Sequence, residues 1–120
     1  MAFRLNITRS PRMAAAQVTA LASHEEAQEI VMAIAEQTRE HGDKRLLIDL
    51  TDFVGTLDID SHRWAGELVF RHLSHLERIA SLVPEDKITR VSEQTAQAHG
   101  VQLRVFAEIT SAVEWLIAPL

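Results

Sequence analysis

Residues 45–64 read RLLIDLTDFVGTLDIDSHRW, and the way this stretch is divided decides the fold. Leu46, Leu47, Ile48, Asp49 and Leu50 form a nearly continuous apolar run. Such a strand is covered on both faces, as in a parallel sheet with helices on each side, so it is assigned as the central strand. An aspartate-rich loop from Thr51 to Asp60 follows. Ser61 then opens a helix that runs to about Leu76, with Ala65, Leu68, Val69, His72, Leu73 and Leu76 on a broad inward arc. A serine at that point reads as an N-cap, whose oxygen accepts a free backbone N–H and stabilises the helix by about 1 kcal/mol.

Working outward, Phe3, Leu5 and Ile7 alternate with Arg4, Asn6 and Thr8, the period of a half-buried strand. Ser10-Pro11 turns the chain, and a second strand from about Met13 to Leu21 completes a hairpin. Ser23 with Glu26 makes a capping box ahead of a helix whose inner face is Ala27, Ile30, Val31, Ile34, Ala35 and Thr38, stopped by Gly42. Beyond the central unit, Arg78 to Val83 is a strand ended by Pro84. Ile88 to His99 is a surface helix with Ile88, Val91, Thr95 and Ala98 as its stripe, and Leu103, Val105 and Ala107 form the last strand. Ser111 and Glu114 make a second capping box, opening a terminal helix with Val113, Trp115, Leu116 and Ile117.

The predicted order is β-β-α-β-α-β-α-β-α, a single α/β domain over residues 1–120. Right-handed crossovers then give a five-stranded, mixed but mostly parallel sheet with about four helices and an antiparallel hairpin at one edge. In such sheets ligands sit at the carboxyl ends of the strands, which points to the loop from Thr51 to Asp60.

Composition narrows the function classes. The 120 residues, 47% hydrophobic, suffice for one core. A net charge of −5 leaves no basic field for phosphates, so nucleic acid is not the expected partner. With no cysteine there is neither a disulfide framework nor a thiolate nucleophile, which fits a reducing cytoplasm. No apolar run approaches the ~20 residues of a membrane span, leaving peripheral contact through an amphipathic face as the only membrane mode expected.

The constellations point away from catalysis. Asp49, Asp52, Asp58 and Asp60 invite a hard cation, but their spacing matches no calcium loop, and aspartate is common in turns for its backbone hydrogen bonds. A phosphoacceptor role for Asp49 would need a lysine after the last strand, and the only lysines are Lys44 and Lys87. His72 and His75 have a metal-competent i, i+3 spacing without a third ligand, so core packing with a hydrogen bond is the expectation. His62 follows Ser61 by one position, about 100° around a helix, and is poorly placed as its base. No metal, cofactor or catalytic residue is assigned. Gly66, costly inside a helix by about 1 kcal/mol, reads as a close approach of helix to sheet. Trp64 and Phe70 overflow the helix's inner face, either to pack against the helix of Trp115 or to offer an apolar surface to a ligand, a lipid or a second subunit.

Leu46-Leu47-Ile48-Asp49-Leu50, Phe53, Gly55, His72 and Arg78-Ile79-Ala80, in this order of elements, resemble the SpoIIAA-like proteins of the STAS superfamily, a bacterial group. The resemblance is detailed from about Arg45 to Val83 and elsewhere agrees in order and length. It implies a non-enzymatic domain that works by binding. Anti-sigma-factor antagonists of the superfamily are phosphorylated on a serine at the start of the helix after the central strand, and Asp60-Ser61 falls in that region. Their motif continues with a small residue and a glycine, where this chain has His62 and Arg63. The SpoIIAA-like branch is also similar in fold to SEC14 lipid-binding domains. Two readings follow. In one the domain binds an apolar or lipid-like ligand, or a membrane surface, with Phe53, Asp58, Asp60, Ser61, His62, Trp64 and Phe70 as its surface. In the other it docks on a kinase or other protein, switched by phosphorylation of Ser61. Self-association as a homodimer is expected in either case.

Overall fold

The computed structural model of the chain describes residues 3–119. Its elements are β1 (Phe3–Arg9), β2 (Ala14–Leu21), α1 (His24–His41), β3 (Arg45–Val54), α2 (Ile59–Leu73), β4 (Arg78–Leu82), a 3-10 turn (Glu85–Lys87), α3 (Val91–Ala98), β5 (Leu103–Phe106) and α4 (Ile109–Ile117). The sheet order is β1-β2-β3-β4-β5, with β1 antiparallel to β2 and every later pairing parallel.

Each crossover advances the sheet in the same direction, so crossovers of one hand put α1, α2 and α3 on one face. That inner face carries the larger core, with Ala16 and Val18 of β2, Ile34 of α1, Leu46 and Ile48 of β3, Leu68 and Leu73 of α2, and Ile79 and Leu103. The next side chains along β3 and β4, Leu47, Ala80 and Leu82, point the other way and meet Ala112 and Leu116 of α4. β3 is thus the doubly covered central strand that its apolar run predicts. Arg45 and Arg78, at the starts of β3 and β4, hold the far end of α4. Arg45 donates to the Leu116 and Ala118 carbonyls at 3.0 and 2.7 Å, and Arg78 to those of Trp115 and Ala118 at 2.7 and 2.9 Å. Carbonyls left over at a helix end find cations there, where the helix dipole is negative.

Several boundaries differ from the sequence reading. β3 continues four residues past Leu50 through a bulge: Gln17 pairs with Asp49, and Thr19 next pairs with Asp52. The Asp49 carboxylate stabilises this irregularity, accepting from the Thr51 N–H at 3.0 Å and the Thr51 hydroxyl at 2.6 Å. One extra residue flips the alternation, so Leu50 and Phe53 both reach the inner face, where strict alternation would have placed Asp52. The helix after it starts at Ile59, and its N-cap is Asp58, not Ser61. The Asp58 carboxylate accepts from the Ser61 N–H at 2.7 Å. α2 stops at Leu73 rather than Leu76.

α3 begins at Val91 instead of Ile88, because the 3-10 turn consumes Glu85–Lys87 and Arg90 adopts a left-handed φ of 65°. Its buried positions are Glu93 and Ala96, not the predicted stripe. α4 begins at Ile109, so Ser111 lies inside the helix and its capping box does not form. Gly66 marks a close approach of α2 to α3 rather than to the sheet. The first capping box does form in half, with the Ser23 hydroxyl accepting from the Glu26 N–H at 3.0 Å, and Gly42 ends α1 at φ 68°.

α3 also closes the open edge of the sheet. Along β5 the outward backbone groups are those of Leu103 and Val105. Gln97 donates to the Leu103 carbonyl at 3.0 Å, Arg90 donates to the Val105 carbonyl at 3.0 Å, and the Glu93 carboxylate accepts from the Val105 N–H at 2.7 Å. An exposed strand edge is a template for unwanted pairing, and three side chains from α3 and its N-cap occupy this one.

Candidate functional site

Between the inner face of the sheet and α1, α2 and α3 lies a cavity of about 230 Å³. Ile34, Ile48, Val69 and Leu103 line its depth, all from the buried core. Ala27, Ile30 and Val31 of α1 and Ala65 of α2 form its walls. Its mouth is at the carboxyl ends of β3 and β4, where Phe53, Gly55, Thr56, Leu57, Pro84 and Lys87 surround it. The strand order has no reversal, so no crevice between diverging crossovers exists. The small side chains of Ala27 and Ala65 leave this space unfilled, and the Pro84–Arg90 segment arches over the strand ends beside it instead of entering α3 directly.

The arch is tied down at two points. The Lys87 ammonium donates to the Phe53 carbonyl at 3.0 Å. The Arg90 guanidinium donates to the Glu93 carboxylate at 2.9 Å as well as to Val105. Polar groups in the lining are few: Thr56, His62, Ser81, Asp86, Thr89 and Ser92 accompany the two cations. Burial pushes the His62 imidazole below its ordinary pKa against the opposing pull of Asp58, so near neutral pH it is an uncharged hydrogen-bonding group.

The residues singled out in the sequence fall in three places. Phe53 and His62 line the cavity. Asp58, Asp60 and Ser61 form the solvated first turn of α2. Asp58 is held below the usual carboxylate range by hydrogen bonds from the Ser61 backbone and hydroxyl, and exposed Asp60 pairs with Arg63 at 3.1 Å. Trp64 and Phe70 are outside the cavity and apart from each other. Trp64 stacks on His24 at 4.9 Å, with the Arg71 guanidinium 5.6 Å from its centre, and Phe70 stacks on His99 at 4.4 Å. Neither meets the helix of Trp115, which lies on the opposite face of the sheet beside Phe106.

The aspartates are dispersed among a bulge, the outer face of β3, a helix cap and solvent. Among the described residues no three His, Asp or Glu side chains converge as metal ligands. His75 Nε2 lies 2.8 Å from the Thr38 hydroxyl, which itself donates to the Ile34 carbonyl, so the ring donates to Thr38. Burial, aided by the Arg39 and Lys44 cations, lowers the His75 pKa and keeps the ring neutral. Among the described residues no helix is long and apolar enough to cross a membrane.

A five-stranded sheet wound in one direction, with three crossover helices inside and a fourth outside, defines a STAS-type domain. The model of the SpoIIAA-like family matches residues 13–117, and the chain belongs to that family. Comparison with curated protein sequences finds no match. Among crystal structures, the chain is similar to an uncharacterized protein from Shewanella loihica PV-4 with a SpoIIAA-like fold, at 18% identity and a TM-score of 0.55. It is also similar to an anti-sigma factor antagonist from Mycobacterium paratuberculosis, at 8% identity and a TM-score of 0.61. Each likeness covers 96% of this chain and 94% of the other. At these identities they establish a shared fold.

Proposed function

We propose that this SpoIIAA-like domain is a non-enzymatic binding module that takes a small apolar or amphipathic molecule into the cavity beneath α1, α2 and α3. The observation that carries this reading is the cavity itself. About 230 Å³ of mostly aliphatic space in a domain of this size is half as large again as the ~150 Å³ engineered cavity that binds benzene. Natural cores seldom keep voids much larger than a water molecule, because every unfilled wall forfeits dispersion contacts. A space retained at that cost, opening at the strand ends and ringed by a few polar groups, has the form of a ligand site.

Titration calorimetry with 1-octanol tests it. The expected result is saturable binding by the wild-type protein and loss of that binding in Ala65→Phe, whose ring fills the space between α2 and the sheet. Unchanged binding in a folded Ala65→Phe protein contradicts the reading.

A second reading, a STAS regulator that docks on a kinase or another protein, is favoured by the likeness to an anti-sigma factor antagonist and by the exposed first turn of α2 with Ile59 and Asp60. A phosphate on Ser61 would there face the Asp58 carboxylate, which already holds the Ser61 N–H. The same variant separates the two readings, since filling the cavity leaves that surface intact.

A further inference from the structure

The cavity is not uniformly apolar, and its one available cation indicates the ligand's chemistry. Of the two cations in the lining, Arg90 is engaged by Glu93 and the Val105 carbonyl. Lys87 is different. It is half-buried, its ammonium donates to the Phe53 carbonyl, and among the described residues no carboxylate lies within ion-pair distance of it. Two of its three protons remain for another acceptor. A half-buried lysine ammonium at the mouth of a cavity, with no counter-ion among the described residues, is an available partner for an anionic group. The depth of the cavity, at Ile34, Ile48, Val69 and Leu103, offers no charge.

Resting on the cavity reading above, we propose that the ligand is a medium-chain monocarboxylate. Its carboxylate sits on the Lys87 ammonium at the mouth, and its chain fills the aliphatic depth. Charge and size both favour this class. Lys87 is a single cation, and the exposed Asp86 beside it would repel a dianionic phosphate more than a monoanion. Scaled by volume from benzene in ~150 Å³, the space holds about nine non-hydrogen atoms, a chain of about eight carbons and not a full membrane lipid.

Octanoate, 1-octanol and palmitate, titrated into the wild-type protein and into Lys87→Gln and Lys87→Arg, test the proposal. Octanoate should bind wild type about tenfold more tightly than 1-octanol, the size of effect expected for a charge-assisted hydrogen bond at a half-buried site. Lys87→Gln should abolish that preference, weakening octanoate about tenfold more than it weakens 1-octanol, Lys87→Arg should retain most of it, and palmitate should bind more weakly than octanoate. A lysine that served only to tie the arch to Phe53 would weaken both ligands equally when replaced, and that result overturns the proposal. Equal affinity of wild type for octanoate and 1-octanol also overturns it and leaves the cavity reading standing. Binding of neither overturns both.

Discussion

Glu93→Ala should destabilise the domain by about 3 kcal/mol, the sum of a buried N–H left without a partner and an arginine left without its carboxylate. Glu93 is only 9% exposed, and one oxygen serves two donors, the Val105 N–H at 2.7 Å and Arg90 Nη1 at 2.9 Å. Val105 lies on the last strand, so no further strand can take over its N–H, and water reaches it only if α3 lifts. Arg90 is the one described non-glycine residue with positive φ, a conformation that persists where its surroundings over-determine it. Losing Glu93 therefore loosens the start of α3, the arch over the cavity and the closed edge of β5 together. Urea denaturation measures the loss. Glu93→Gln, which keeps an acceptor oxygen, should lose less than half as much. A Glu93→Ala protein within about 0.5 kcal/mol of wild type, the range of ordinary surface substitutions, would show that α3 does not hold the edge.

Gly66→Ala should also destabilise, by about 2 kcal/mol, although in a helix interior the change by itself favours alanine by about 1 kcal/mol. A Cβ on Gly66 would lie 2.7 Å from the Ser92 carbonyl oxygen and 2.8 Å from the Thr95 Cβ. Neither neighbour can swing away, since one is backbone and the other is fixed to it. α2 and α3 would have to separate, and α3 is held in turn by its contacts to β5. The loss should appear as a lower midpoint in urea at unchanged slope. A variant as stable as wild type, or more stable, would mean that the two helices are not pressed together at this point.

The fold was legible because its signals are local. The run Leu46–Leu50 marks a strand covered on both sides, Ser23 and Gly42 bracket α1, and the alternation of Phe3, Leu5 and Ile7 marks the edge hairpin. Positions set by tertiary contact were not legible. Asp58, Asp60 and Ser61 are all competent N-caps within four residues, and the choice of Asp58 depends on where β3 ends, which in turn depends on the bulge at Asp49. That bulge also carries Phe53 to the cavity, since pattern counting without it sends Phe53 outward. Arg90 gives no sequence sign of a left-handed conformation, so the sequence pattern starts α3 three residues early and puts other residues on its inner face. The cavity draws on three helices, three strands and an arch, and Lys87 at its mouth stands in no motif. Of the residues that stand out in the sequence, Phe53 and His62 line the cavity, whereas Trp64 and Phe70 lie outside it, stacked on His24 and His99, with Phe70 still 38% exposed.

The role of the cavity is tested most directly by titrating 1-octanol into protein labelled at the isoleucine, leucine and valine methyl groups and following their resonances. Saturable shifts should appear at Ile34, Ile48, Val69 and Leu103, with Leu47, Leu82 and Leu116 across the sheet unmoved. Shifts confined to exposed Leu21, Val54 and Ile109, with the methyls in the depth of the cavity unchanged, would contradict it.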